Sequence, residues 1–210
     1  MKARIRNAVL ALTAVSTAVA LTACGTGGES DSAEGSAPMI GVLLPDSTTA
    51  RWETRDKPLL DKEIKERCGD CTIEQANAKG EVAMQQAQMN SMIAKGVDAI
   101  LLVAVDARSL ATSVRKAVEA GVPVIAYDRL AEGPISGYAS FDGEEVGRLQ
   151  GTALLKAMGD EVPGAQIVMM NGDPSDPNAV LFRKGALDVL TGKVKIGKAY
   201  DTLQSVSYTH

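Results

Sequence analysis

Residues 98–127 read DAILLVAVDARSLATSVRKAVEAGVPVIAY, and the fold follows from how this run is parsed. Asp98 to Val103 is a short apolar run without helical spacing, which predicts a buried strand. Ala107 to Ala120 follows with Leu110, Val114, Ala117 and Val118 on one stripe and Gly121 just past its end, the pattern of an amphipathic helix and its stop. Pro123 to Tyr127 is a second strand. A strand, a helix and a strand of this length make a parallel crossover unit, right-handed by the usual rule.

The same unit repeats toward the N-terminus. Met39 to Leu44 reads as a strand ended by Pro45, Glu53 to Arg67 as a helix, Thr72 to Ala76 as a strand, and Glu81 to Lys95 as a helix with Val82, Met89, Met92 and Ile93 on one face. The order β-α-β-α-β-α-β predicts an α/β fold: a Rossmann-like parallel sheet covered by helices on both faces. Toward the C-terminus the pattern restarts. Tyr138 to Phe141 is extended, and Asp142 to Met158 is a helix with Val146, Leu149, Ala153, Leu154 and Met158 expected inward. Gln166 to Met170 is a strand, Asn178 to Leu190 a helix, and Val194 to Tyr200 a strand. The expected layout is a first lobe over 39–138, near complete, and a partial second lobe over 139–210.

In open parallel sheets ligands sit outside the C-terminal ends of the strands. That rule selects the loops 45–52, 76–80 and 128–130, and with them Asp46, Arg51, Trp52, Asn77, Asp128 and Arg129. The loop after the strand at Met170 adds Asn171, Asp173, Asp176 and Asn178. None of these loops carries G-x-G-x-x-G or G-x-x-x-x-G-K-[ST], so nothing supports a nucleotide site. Carboxylates and amide oxygens accept from hydroxyls, Arg and Asn nitrogens donate to them, and a Trp ring can cover the C–H face of a sugar. The set suits a neutral polyol. Two plainer readings stay open: Arg51 solvated with Trp52 a core plug, and Asp128-Arg129 a capping or salt-bridge pair.

The chain holds one histidine, His210, so triads and metal sites built on histidine are not expected, nor is any cofactor. Lys2, Arg4 and Arg6 precede an uncharged apolar run from Ala8 to Leu21, closed by Leu21-Thr22-Ala23-Cys24. This is the layout of a secretory signal over 1–23, and the run is too short to span a bilayer comfortably. A cysteine placed there resembles the bacterial lipobox, which implies diacylation of Cys24 and a durable membrane anchor. Residues 24–38, rich in Gly, Ser, Thr, Asp and Glu, read as a flexible tether. Loss of the leader moves the formal net charge from −4 to −7, which argues against nucleic acid as a partner. Cys68 and Cys71 lie between a helix end and a strand start. Outside the cytosol that context predicts a structural disulfide, whereas a redox pair normally opens a helix.

Four segments carry a resemblance: IGVLLPDSTTARWETRD (40–56), QANAKGEVAMQQAQMNSMIAKGVDAILL (75–102), VIAYDRLAEGPISGYASFDGEEVGRLQG (124–151) and MNGDPSDPNAVLFRKGALDVL (170–190). With A-R-W near the first strand, Y-D-R after the fourth and D-x-N-A-x-L-F-R-x-G in the last segment, the chain resembles the sugar-binding proteins of bacterial ABC importers. These have the type 1 periplasmic-binding-protein fold, and the xylose-binding branch is the nearest likeness. The resemblance implies a non-enzymatic, monomeric, extracytoplasmic receptor for D-xylose or a similar aldose, working with a membrane permease. It implies sugar contacts from Arg51, Trp52, Asp128, Arg129 and Asn178, with Asp46 and Asn77 as further candidates. The family continues for about another domain's worth of chain, so a truncated second lobe is expected here. A sugar sensor paired with a membrane histidine kinase would share the fold and the site, and an exported C-x-x-C thiol oxidoreductase is a third reading.

Overall fold

In the computed structural model, residues 37–201 are described. Cys24, the leader and most of the tether lie outside them. The elements in order are β1 (Met39–Leu44), α1 (Lys57–Arg67), β2 (Thr72–Asn77), α2 (Val82–Lys95), β3 (Ala99–Leu102), α3 (Ala111–Glu119), β4 (Val124–Tyr127), β5 (Gly137–Ala139), α4 (Gly143–Met158), β6 (Gln166–Asn171), α5 (Pro177–Leu190) and β7 (Lys195–Asp201). No described helix is long and apolar enough to cross a membrane.

The first five strands form one sheet in the order β2-β1-β3-β4-β5, with every pair parallel. Side chains alternate across it with period two, as the pleat requires. Leu43, Ile100, Leu102, Val124 and Ala126 meet Met89 and Met92 of α2 and Val114 and Ala117 of α3 on one face. Val42, Leu44 and Val103 meet Trp52 on the other, with Leu60 and Ile64 of α1 packed against them. The helix stops follow the expected chemistry. Gly96, at φ 74°, takes the left-handed position that closes α2 and returns its N–H to Met92 and Ile93.

Two local features depart from expectation. The helix expected over 53–67 opens with a π-helical turn, Trp52–Asp56, before α1 begins. The second concerns α4. Of its expected inward residues, Leu149 is 60% exposed and Leu154 39%, and Ala153 is exposed too, while Val146 and Met158 are half-buried. The buried residues are Gly143, Gly147 and Gly151, four apart on one stripe. That stripe packs on α5 so closely that a Cβ at Gly147 would overlap the Phe182 carbonyl oxygen and lie 2.9 Å from Ala186 N. Backbone approaches backbone here, and the apolar side chains of α4 point elsewhere. β6 and β7 form a separate two-stranded parallel sheet.

Cys68 and Cys71 are joined, Cα to Cα 5.3 Å, bridging the C-terminus of α1 to the start of β2. The closed loop is short, with a sequence separation of 3. Its chain-entropy contribution is therefore only about 2 kcal/mol. Replacing both cysteines with serine should lower urea-measured stability by about that amount. Ligand binding should not change, because the bridge sits at the strand ends opposite the loops described next.

Candidate functional site

The residues singled out from the sequence converge at the C-terminal edge of the five-stranded sheet. Arg51 stands between two acids. Its Nε and Nη2 donate to Asp56 Oδ2 and Oδ1, both at 2.8 Å, and its Nη1 donates to Asp128 Oδ2 at 2.9 Å. Asn178, on the first turn of α5, donates from Nδ2 to the Asp128 carbonyl at 3.1 Å and to its Oδ1 at 3.2 Å. Arg129 lies 2.9 Å by Nε from Asp176 Oδ2 and 3.7 Å by Nη2 from Asp46 Oδ2. The Arg129–Asp176 contact is an ion pair whose N–H is not aligned on the oxygen. Asn77 Nδ2 donates to the Asp46 carbonyl and to Glu53 Oε1, at 2.9 and 2.7 Å.

The backbone sets these groups in place. Asp128 follows β4 directly and takes φ 60°, the left-handed region where Asp is better tolerated than most side chains. The turn is held by Asp128 N–H on Ala139 O, and by Tyr138 and Ser140 hydroxyls donating to Asp128 O, both at 2.9 Å. A backbone strained in this way is common at ligand sites. Gln85, fully buried on α2, donates to Val103 O and accepts from Val105 N, both at 2.8 Å. It thereby fixes the loop after β3, whose Ala104 carbonyl faces Arg129 Nη1 at 3.5 Å. Asp176 caps α5 by accepting from Asn178 N–H.

Trp52 takes the place of the core plug that the sequence left open beside a stacking role. The ring is 2% exposed and belongs to the core, with the Arg51 guanidinium 4.3 Å from its centroid and Arg129 at 5.7 Å. It is a buried platform under two cations, and its faces are not open to a sugar in this structure. Asp56 and Tyr127 are the partners that sequence reading missed. Asp56 reads as one more charged residue in a surface helix, and only the π turn brings it beneath Arg51. Asp176 was visible in its loop, but nothing in the sequence pairs it with Arg129.

Electrostatics divides the acids. Burial works to raise the Asp56 carboxyl, but hydrogen bonds from Arg51 and Tyr127 outweigh it and hold it below the ordinary value. Burial likewise opposes Asp46, whose bonds from the Thr49 N–H and the Thr48 hydroxyl win and lower it. Asp176 goes the other way: burial raises it despite Arg129. The Arg51 guanidinium is firmly protonated, held so chiefly by Asp56. Arg51 keeps 43% of its side-chain surface open while Asp128 keeps 15%, so Arg51 is the more accessible partner of the pair. A cavity of about 360 Å³ lies elsewhere, along α5 beside Asn171, Ala179 and Leu187, and takes none of these residues. The cluster draws its charges from the segments after β1, β4 and β6, with Asn77 at the end of β2 and the Ala104 carbonyl after β3 beside them, the edge that open α/β sheets use for ligands. Among the described residues no cluster suited to a metal ion occurs.

An open parallel sheet with paired acids, amides and guanidinia at its strand ends is the architecture of a small-molecule binding protein. The chain belongs to the periplasmic binding protein domain family, whose pattern it matches over residues 40–209. It is similar to the D-xylose-binding periplasmic protein of Escherichia coli (strain K12), at 35% identity over 160 residues, covering 76% of this chain and 46% of that protein. It is also similar to the multiple sugar-binding periplasmic protein SbpA of Azospirillum brasilense, at 32%, covering 81% and 49%. Among solved structures it is similar to an ABC transporter solute binding protein from Clostridium phytofermentans with bound β-D-glucose. The TM-score there is 0.69 and the identity 30%, covering 75% of this chain and 51% of that one. The chain spans about half the length of the curated relatives it matches.

Proposed function

We propose that this chain is the sugar-capturing part of an extracytoplasmic substrate-binding lipoprotein that serves an ABC importer. The observation that carries the proposal is the convergence of Arg51, Asp128, Arg129 and Asn178 on one edge of the sheet. Arg51 and Asn178 already donate to acceptors there, both of them to Asp128. A polyol hydroxyl both donates and accepts, so it can enter such a pair without stranding either partner. The sugars named for the relatives support the class, and the xylose-binding proteins at 35% and 31% identity make D-xylose or a similar aldose the leading candidate.

On this reading residues 1–23 are the leader, Cys24 carries the lipid, 24–38 form the tether, 39–138 the first lobe and 139–210 part of the second. An anchor keeps a receptor beside its permease where no outer membrane retains it. The chain works as a monomer and performs no catalytic step. The test is a titration of the chain from Cys24 onward with aldoses, ketoses and polyols, read by calorimetry and by the fluorescence of Trp52, the chain's single tryptophan. Saturable binding of an aldose, strongest among pentoses, is expected. A folded protein that binds no aldose contradicts the proposal.

A further inference from the structure

We propose that Asp56, steadied by Tyr127, is a positioning residue that turns Arg51 into a reader of neutral hydroxyls and withholds its side-on fork from anions. The inference rests on the sugar-receptor reading above and goes beyond it, because it states which sugars the site turns away.

The geometry is specific. Asp56 is 7% exposed, and both its oxygens are used. Oδ2 accepts from Arg51 Nε, and Oδ1 accepts from Arg51 Nη2 and from the Tyr127 hydroxyl, all at 2.8 Å. This is the bidentate pairing by which a guanidinium ordinarily captures a carboxylate or phosphate ligand. Here the protein's own acid occupies it. What Arg51 has left is its end-on edge, the second Nη2–H and Nη1, and Nη1 is already 2.9 Å from Asp128 Oδ2. One donor beside one acceptor matches a hydroxyl. A carboxylate or phosphate placed there would meet Asp128 with like charge and would find the side-on fork taken, with Asp128 holding Nη1 of the end-on edge.

The π turn makes the clamp possible. In an α-helix a residue five positions on lies about 140° around the axis, facing away. In a π turn the repeat is i to i+5, and here Lys57 N–H bonds Trp52 O in that register. Arg51 and Asp56 are five apart, so the wider turn brings them onto one face. Tyr127, the last residue of β4, ties the clamp to the strand that also delivers Asp128. Pre-orienting a flexible guanidinium removes part of the ordering cost of binding.

The test compares wild type, Asp56→Asn and Tyr127→Phe, each titrated with D-glucose, D-xylose and D-glucuronate by calorimetry and Trp52 fluorescence, with melting curves alongside. Asp56→Asn keeps the shape and removes the charge. It should weaken neutral-sugar binding about 10-fold and shift the glucuronate-to-glucose preference toward the acid by about 10-fold, the scale of one charged hydrogen bond. Tyr127→Phe should move both in the same direction by about 3-fold, the scale of one neutral hydrogen bond. It provides the readout if Asp56→Asn fails to fold. Unchanged selectivity in the folded variants, even with weaker binding overall, overturns the proposal. A ligand-free readout separates this inference from the sugar-receptor reading: the Arg51 Nε–H resonance should be shielded from solvent exchange in wild type and lose that shielding in Asp56→Asn. If no sugar binds and the resonance behaves so, the clamp stands and the receptor reading fails. Fast exchange in wild type overturns the clamp whatever the sugars do.

Discussion

Replacing Arg129 with alanine should weaken sugar binding by about 100-fold, the scale seen when one partner of a largely buried charge pair is removed. Arg129 is the cation shared by Asp176 at 2.9 Å and Asp46 at 3.7 Å, and all three side chains are 14–17% exposed. Without it Asp46 and Asp176 lose the cation they share in a partly buried position, and on the proposed reading the sugar loses a planar donor. Lysine restores the charge but not the fork, so Arg129→Lys should recover only part of the loss. Calorimetric titration measures both. An Arg129→Ala protein that is folded and binds sugar like wild type would remove Arg129 from the site.

The second large effect is on stability. Gly185→Val should destabilise the protein by more than about 3 kcal/mol, beyond the usual cost of overpacking, because the new atoms meet backbone and not side chain. A Cβ at Gly185 would overlap the Glu144 carbonyl oxygen and lie 2.9 Å from Arg148 N, so α4 and α5 must separate. At this chain length such a loss lowers the melting temperature by roughly 6 °C or more. Gly69→Ala is the control: nothing lies within 4 Å of its Cβ position, and its melting temperature should match wild type. Separation of α4 from α5 also unseats Asn178 from Asp128, so binding should fall with stability.

The strands and most helices were readable because apolar runs of strand length alternate with helical stripes, and no tertiary effect overrides that pattern in the first sheet. Arg51, Asp128, Arg129, Asn178, Asp46 and Asn77 come together because strand-end loops of a parallel sheet share one edge, which is a property of topology and needs no knowledge of side-chain positions. What escaped the sequence depends on backbone geometry. For α4 the sequence suggests that the apolar stripe lies inward. The contact is instead made by G143-x-x-x-G147-x-x-x-G151, a spacing present in the sequence but silent to any hydrophobic count. Asp56 escaped because an α-helical register turns it away from Arg51, and no feature of W52-E-T-R-D56 announces a π turn. For Trp52 the sequence leaves both a sugar platform and a core plug open. Its burial arises from Val42, Leu44 and Val103 below and two guanidinia above, a set assembled from four separated segments.

The most direct test of the central claim, that a sugar binds at the C-terminal edge of the first sheet, is a nuclear magnetic resonance titration of the isotope-labelled chain with D-xylose. The largest shifts should fall on the Arg51 Nε–H, the Trp52 indole N–H and the side-chain amides of Asn77 and Asn178. No shifts at saturating sugar, or shifts gathered along α5 around Arg183 and Leu187, would contradict it.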